Sequence, residues 1–128
     1  MRFFLSLNLI FLFLNSCSLE ESSKSQDSDL LAITKLSEEI NTLVQSSICN
    51  DETECAFIAF GKKPCGGPWG YLVYYNSIDT EELISKVELF NQMQNSYNLK
   101  YNITSDCSMI LEPDGLICEG GKCKAVYN

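Results

Sequence analysis

The alternation of apolar and polar stretches predicts a leader segment followed by a linker and one folded domain. Residues 3–14 are almost continuously apolar, and Arg2 is the only charged residue before Glu20. As a helix, this block would rise roughly 18 Å, against about 30 Å for the hydrocarbon core of a bilayer. The block is therefore too short for a transmembrane span, and residues 1–16 have the form of a signal peptide.

A polar stretch follows the leader. Its only large apolar side chain is Leu19, which cannot offset the entropy lost on ordering the segment. Residues 17–28 are therefore predicted to be a flexible tether. The folded domain is then predicted to cover residues 29–128.

Apolar positions spaced three and four residues apart predict two amphipathic helices. The first is expected to begin at Asp29, whose side chain can cap it. Its apolar face is Ile33, Leu36, Ile40, Leu43 and Val44. The second begins after Asp79, where Glu82 completes a capping box, and ends near Asn98. Its apolar face is Leu83, Val87, Phe90 and Tyr97.

Short apolar runs between turn signals predict strands. Two of them flank a Gly/Pro-rich loop, and the C-terminal runs form a hairpin or meander around Pro113-Asp114-Gly115 and Glu119-Gly120-Gly121. The runs are residues 55–60, 71–75, 101–104, 108–111, 116–118 and 122–127. Two helices and about four strands predict a small single α+β domain with a short antiparallel sheet.

Six cysteines remain when Cys17 is set aside: Cys49, Cys55, Cys65, Cys107, Cys118 and Cys123. An even number in a small exported domain predicts three disulfides. Six cysteines allow 15 pairings, and the residues alone do not choose among them. A metal site is disfavoured because the chain has no histidine and no CxxC pair.

The formal net charge is −8, and loss of Arg2 with the leader would make the exported part more acidic still. An acidic surface argues against nucleic acid and anionic lipid headgroups as partners. A basic protein or a cation stays open as a partner, and charge that serves only solubility is the simpler alternative.

The loop around Cys65 is the candidate binding site. Its residues Pro64, Gly66, Gly67, Pro68 and Trp69 specify an unusual backbone path, since Gly accepts positive φ and Pro fixes its own. One interpretation is a rigid loop that presents Trp69 to a protein partner. The alternative is that Trp69 folds back as a lid on the core.

Catalysis is not expected, and no cofactor is predicted. Without histidine, the chain has no Ser-His-Asp triad and no imidazole metal ligand. Carboxylates remain as candidate groups. Asp51, Glu52 and Glu54 cluster in a short polar loop and are expected to be solvated.

The stretch Leu14-Asn15-Ser16-Cys17 resembles the lipobox of bacterial lipoproteins, with Asn15 as a departure from the pattern. The resemblance implies that Cys17 is acylated, becomes the new N-terminus and holds the protein to a membrane. Glu20-Glu21 looks like a signal for export to the outer membrane surface, or is solvated linker charge. The implied location is the cell envelope, at the outer membrane or cell surface. The alternative is a plain secretory peptide in which Cys17 is incidental.

The stretch Cys65-Gly-Gly-Pro-Trp-Gly-Tyr-Leu-Val-Tyr74, then Ser105-Asp106-Cys107, then Cys118-Glu-Gly-Gly-Lys-Cys123 is similar to small uncharacterised secreted bacterial domains. The resemblance covers roughly residues 49–127 and brings no activity with it. It favours local disulfides, Cys49–Cys55, Cys65–Cys107 and Cys118–Cys123.

These observations favour a lipid-anchored envelope protein whose domain has a non-enzymatic binding or structural role. The runner-up is an inhibitor of a secreted hydrolase, either a protease or a lysozyme. Small size, disulfides, an acidic surface and a rigid loop motivate it.

Overall fold

The computed structural model describes residues 18–128, and within them it has the predicted α+β class. Two helices, four strands in antiparallel pairs and three disulfides form one small domain. The elements are α1 (Ser18–Gln45), a 3₁₀ turn (Glu52–Glu54), β1 (Cys55–Phe60), β2 (Gly70–Tyr75), α2 (Thr80–Lys100), β3 (Gly115–Glu119) and β4 (Lys122–Val126). The predicted leader, residues 1–16, and Cys17 lie outside the described residues.

Residues 18–28 form the first turns of α1 and so differ from the predicted flexible tether. The last part of this stretch is bonded to α2, because Gln26 Nε2 donates to Tyr97 Oη at 3.1 Å and Ser25 Oγ shares a hydrogen bond of 3.1 Å with Tyr101 Oη. Asp29, predicted to cap the helix, lies inside it and accepts a hydrogen bond from Lys100 Nζ at 2.7 Å. Apolar burial alone, which guided the prediction, misses such bonds between distant parts of the chain.

Both predicted apolar helix faces are confirmed. The two helices run antiparallel, since Asp29 pairs with Lys100 at one end and Glu39 pairs with Lys86 further along. The buried residues between them and the first sheet are Ile33, Leu36, Ile40, Leu83, Val87 and Phe90. Leu43, Val44 and Tyr97 pack against this core. Each large apolar side chain fully buried in this way stabilises the fold by about 1.5–3 kcal/mol.

The start of α2 is also as predicted, because Asp79 Oδ1 accepts a hydrogen bond from the Glu82 N–H at 2.9 Å. The helix ends at Lys100, slightly beyond the predicted end. No helix in residues 18–128 has the length and apolar character to cross a membrane.

Strands β1 and β2 form an antiparallel pair, with Cys55 opposite Tyr75 and Phe60 opposite Gly70. Alternation sets the two faces of this sheet. The face against the helices carries Ala56, Ile58, Phe60, Leu72 and Tyr74. The opposite face carries Cys55 and is linked to the second pair of strands by a disulfide.

Strands β3 and β4 form a hairpin around Gly120 and Gly121, which both have positive φ, at 59° and 73°. Such a two-residue turn matches the twist of the paired strands. The sheet predicted as one unit is thus divided into two pairs. Residues 101–104 and 108–111 are not strands: the chain runs from 103 to 113 without helix, strand, turn or bend.

The disulfides are Cys49–Cys118, Cys55–Cys123 and Cys65–Cys107. All six predicted cysteines are therefore paired, and the Cys65–Cys107 pairing implied by the resemblance is confirmed. The local pairings Cys49–Cys55 and Cys118–Cys123 are wrong. Cys118 and Cys123 lie opposite each other on the hairpin and each bonds across to a cysteine of another layer. These two disulfides attach the hairpin to the part of the domain that contains the first sheet and the helices.

Candidate functional site

The candidate binding loop connects β1 to β2 and is called here the Cys65 loop, residues 61–69. The structure places its predicted binding residues together at the surface. Gly66 and Gly67 are exposed, Pro64 and Pro68 are half-buried, and Trp69 retains 44% of its accessible surface. The loop therefore presents a ring and two glycines to solvent.

Hydrogen bonds within the loop close its tip. The Lys63 N–H donates to the Gly67 carbonyl at 2.9 Å, and the Gly66 N–H donates to the Lys63 carbonyl at 2.9 Å. Both glycines have positive φ, 97° at Gly66 and 76° at Gly67, a region that side chains with a Cβ rarely adopt. The unusual backbone path expected from the composition is therefore present, and glycine is needed for it.

Three amide side chains on α2 hold the base of the loop. Asn91 Oδ1 accepts from the Gly61 N–H at 2.7 Å, and Asn98 Nδ2 donates to the Lys62 carbonyl at 2.7 Å. Gln94 Oε1 accepts from the Lys62 N–H. These amides are spaced three and four residues apart, so they form one polar row along the helix. The loop is thus bonded to a rigid element rather than left free.

Lys63 connects the loop to a second segment. Its side chain is only 3% exposed, and its Nζ donates to Asp106 Oδ1 at 3.2 Å, to the Ser108 carbonyl at 2.8 Å and to Ser108 Oγ at 3.1 Å. The ammonium has three donors, and all three are used. The Lys63 Nζ–Asp106 hydrogen bond lowers the pKa of the Asp106 carboxyl below its usual value.

Trp69 is neither a core residue nor fully free. Its ring lies under Lys63 Nζ, which is 5.0 Å from the ring centroid. Its Cδ1 also lies against Gly61, where a Cβ atom would approach within 2.8 Å. One edge of the ring is therefore packed on the loop base, and the remainder faces solvent.

The second segment, residues 107–112, is called here the Met109 segment. Its centre carries three consecutive large apolar side chains that are exposed: Met109 at 88%, Ile110 at 37% and Leu111 at 72%. Three adjacent exposed residues of this size are uncommon on a small soluble domain. The segment is bonded to the Cys65 loop by the Cys65–Cys107 disulfide.

A shallow groove of about 430 Å³ separates the two segments. Pro68 and Tyr71 line one side, and Ser108, Met109 and Ile110 line the other. Burial raises the pKa of the Tyr71 hydroxyl, with a further contribution from Glu112. Tyr71 therefore contributes an uncharged hydroxyl to the groove, with the Glu112 carboxylate beside it.

The remaining chemical candidates have structural contacts. Asp51 caps the 3₁₀ turn by accepting from the Thr53 N–H at 2.9 Å. Glu54 accepts a hydrogen bond from the Tyr75 hydroxyl, and this bond raises the pKa of Tyr75. Glu52 is exposed.

The sulfur atoms of Cys49, Cys55 and Cys123 lie within 4.8 Å of one another. All three belong to disulfides, so these sulfurs are not thiolates and lack the usual metal-binding form. The cluster is therefore formed by two neighbouring disulfides, Cys49–Cys118 and Cys55–Cys123.

Sequence reasoning missed Lys63, the amide row on α2 and the Met109 segment. The row was visible as polar residues at helical spacing, Asn91, Gln94 and Asn98, beside the apolar face. Nothing in the sequence around Lys63 distinguishes it from Lys62. The three apolar residues Met109, Ile110 and Leu111 fit a buried strand as well as an exposed segment, so their spacing does not reveal the Met109 segment.

Comparisons of the chain with family models, with curated proteins and with solved structures gave no match.

Proposed function

We propose that this protein is exported, is held to a membrane by lipid on Cys17 and acts as a non-enzymatic binding module of the cell envelope. The binding surface consists of the Cys65 loop and the adjoining Met109 segment. The single observation that carries this proposal is the Cys65 loop itself, which is bonded on three sides and still exposes Trp69.

Three disulfides support an extracytoplasmic location. Disulfides persist in oxidising compartments and are rare in the reducing cytosol. All six cysteines of the described domain are paired. This agrees with the apolar leader that the sequence places ahead of Cys17.

The binding role is supported by the rigidity of the exposed surface. A loop already held in one conformation loses little entropy on binding, so more of its contact energy appears as affinity. Aromatic side chains with few rotatable bonds dominate binding hot spots. Trp69, packed along one edge and open along the other, combines both properties.

The lipid anchor is tested by metabolic labelling with palmitate and by mass spectrometry of the mature N-terminus. The wild type should carry label and begin at an acylated Cys17, and Cys17→Ser should lose the label and accumulate as an uncut precursor or leave the membrane fraction. Ser18→Ala is the matched control and should behave as the wild type. Label retained in the Cys17→Ser variant would refute the anchor.

The binding role is tested by placing p-benzoylphenylalanine at position 69 and irradiating intact cells. A discrete adduct is expected from position 69 and none from position 88, where Glu88 is an exposed residue of α2. The adduct partner, identified and purified, should bind the wild type and bind Trp69→Ala about 30-fold less tightly, as for a hot-spot residue. Equal adducts from both positions, or none, would contradict a binding role for this surface.

Inhibition of a secreted hydrolase is the second candidate function. The observation that favours it is the exposed Met109 segment, which stands beside the loop and is tied to it.

A further inference from the structure

We propose that the Met109 segment is a substrate-like inhibitory loop for an extracellular serine endopeptidase with a large apolar specificity pocket, and that Met109 enters that pocket. The inference deepens the proposed function, because it names the partner of the same surface. It rests on the binding role of that surface and not on the lipid anchor.

The path of the chain suits a protease cleft. Residues 103–113 contain no helix, turn or bend, and every one of them has negative φ. A chain without bends or positive φ changes direction little, which favours an extended path. Extended peptides are recognised through main-chain hydrogen bonds, with alternate side chains entering pockets. The segment thus contains no turn that would keep it from lying along such a cleft.

The exposed fractions of the three apolar residues differ. Met109 is 88% exposed and Leu111 is 72% exposed, whereas Ile110 between them is 37% exposed and lines the groove. Successive side chains of an extended chain point to opposite sides. Met109 and Leu111 therefore expose most of their side chains, while Ile110 between them is more covered; Met109 and Ile110 both border the groove. Met109 is the most exposed of the three and has an unbranched, adaptable side chain that fits an apolar pocket.

The two residues before Met109 are bonded to the rest of the domain. Cys107 is bonded to Cys65, and Lys63 Nζ donates to the carbonyl and the hydroxyl of Ser108, at 2.8 and 3.1 Å. Because Lys63 is almost fully buried, this support is part of the domain interior. The backbone directly preceding Met109 is therefore fixed while its side chain is free.

The residues after Leu111 are held as well. Pro113 is buried, and the Asp114 N–H donates to the Val126 carbonyl at 2.9 Å, which joins the segment to the end of β4. Glu112 accepts a longer hydrogen bond from the Tyr71 hydroxyl, at 3.5 Å. Support on both sides distinguishes an inhibitory loop from a mobile loop, which a protease would cut. A preorganised loop binds tightly because little entropy is lost on docking.

The experiment measures residual activity of three purified proteases on small chromogenic peptides in the presence of the full mature protein in detergent. Subtilisin and chymotrypsin accept large apolar side chains, and trypsin requires a basic one. Stoichiometric inhibition of at least one of the first two is expected, with no inhibition of trypsin. Met109→Ala should weaken that inhibition about 30-fold or more.

A change of specificity gives the sharper test. Met109→Lys should lose inhibition of the apolar-specific enzyme and gain inhibition of trypsin. The matched control is Leu99→Lys, which makes the same kind of change at an exposed residue of α2 (72% exposed) and should alter neither activity. A misfolded variant would be digested by trypsin and compete only briefly with the reporter peptide, so stoichiometric inhibition that persists after preincubation requires a folded inhibitor.

The role of the Cys65–Cys107 disulfide in fixing the Met109 segment is tested with the double variant Cys65→Ser/Cys107→Ser. Loss of the disulfide should convert the inhibitor into a substrate, with a cut after Met109 detected by mass spectrometry.

The inference is overturned if neither the wild type nor Met109→Lys inhibits any of the three enzymes. It is also overturned if the wild type is cut after Met109 as fast as an unfolded peptide. If adducts still form at position 69 with a partner that is not a protease, only this inference fails and the proposed binding role stands.

Discussion

Lys63 is a buried cation whose three hydrogen bonds all reach the segment around Ser108, far along the chain. Burial of a lysine is costly unless its ammonium is fully bonded. Here the cost is offset by Asp106 and by the Ser108 carbonyl and hydroxyl, and the ammonium also lies 5.0 Å from the centroid of the Trp69 ring. A single residue therefore joins the two parts of the candidate surface.

Replacement of Lys63 by Met retains most of the stem and removes the ammonium, which leaves the Ser108 carbonyl without its donor. We expect Lys63→Met to lower the free energy of unfolding by about 1.5–3 kcal/mol, as for the loss of hydrogen bonds to a charged group. Urea denaturation measures this change. Lys62→Met is the control, because Lys62 contributes to the loop through its backbone, and it should change stability little.

The hydrogen bond between Lys63 and Asp106 should also make the stability of the protein depend on pH. The pKa of Asp106 is lowered in the folded state, first by its hydrogen bond to Lys63. Its stabilisation is therefore present above its ordinary value of 3.8 and is lost as pH falls through the lower folded pKa. The urea midpoint of the wild type should fall in that window, and Lys63→Met should flatten part of the fall. An unchanged acid profile in the variant would contradict the role assigned to this pair.

At the scale of elements, the sequence predicts best what depends on local periodicity. The apolar faces of both helices, the Asp79 cap, β1 and β2 follow from spacing and turn chemistry over a few residues. Residues 18–28 and 108–111 were mispredicted because their state depends on partners far along the chain, Tyr97 for the first and Lys63 for the second.

The candidate site also has a part that the sequence predicts and a part that it does not. Pro and Gly around Cys65 predict an unusual loop, since their backbone preferences are intrinsic. The row that holds the loop was not recognised, because Asn and Gln on a helix are more often solvated. Only the proximity of α2 to the loop base reveals that Asn91 and Asn98 bond to backbone groups there.

Asn98 provides the test of this row. Its side chain is 7% exposed and donates to the Lys62 carbonyl. We expect Asn98→Ala to lower the free energy of unfolding by about 1–3 kcal/mol, because the carbonyl loses its partner in a buried position. Asn95→Ala, at an exposed position of the same helix, should have almost no effect on the urea midpoint. Equal effects of the two substitutions would show that the row does not hold the loop.

At the scale of the whole molecule, three layers are joined covalently. The helices pack on one face of the first sheet, and the β3–β4 hairpin lies on the other side, attached by Cys49–Cys118 and Cys55–Cys123. The third disulfide joins the two parts of the candidate surface. The core is small, so these bonds contribute a large share of the stability.

The two hairpin disulfides close nearly the same long loop, with sequence separations of 69 and 68 residues. While one is present, the other closes only a short additional loop. By the chain-entropy relation, the second bond is therefore expected to contribute about 3 kcal/mol, and the first about 4.4 kcal/mol. Removing either pair by Cys→Ser substitution should cost about 3 kcal/mol, whereas removing both should cost more than the sum of the two single effects.

The difference is measured by urea unfolding, under oxidising conditions, of variants that lack one or both of the hairpin disulfides. The Cys65–Cys107 pair is the control: its loop of 42 residues is nested inside both hairpin loops, but either hairpin bond shortens its closed path so little that the chain-entropy relation changes by only about 0.4 kcal/mol, and its effect should be nearly additive. If removing both hairpin disulfides costs only the sum of the two single effects, the two bonds do not close the same loop of the unfolded chain. The layers would then be held by packing at β1–β3 and β2–β4, and the disulfides would only fix the alignment of the hairpin.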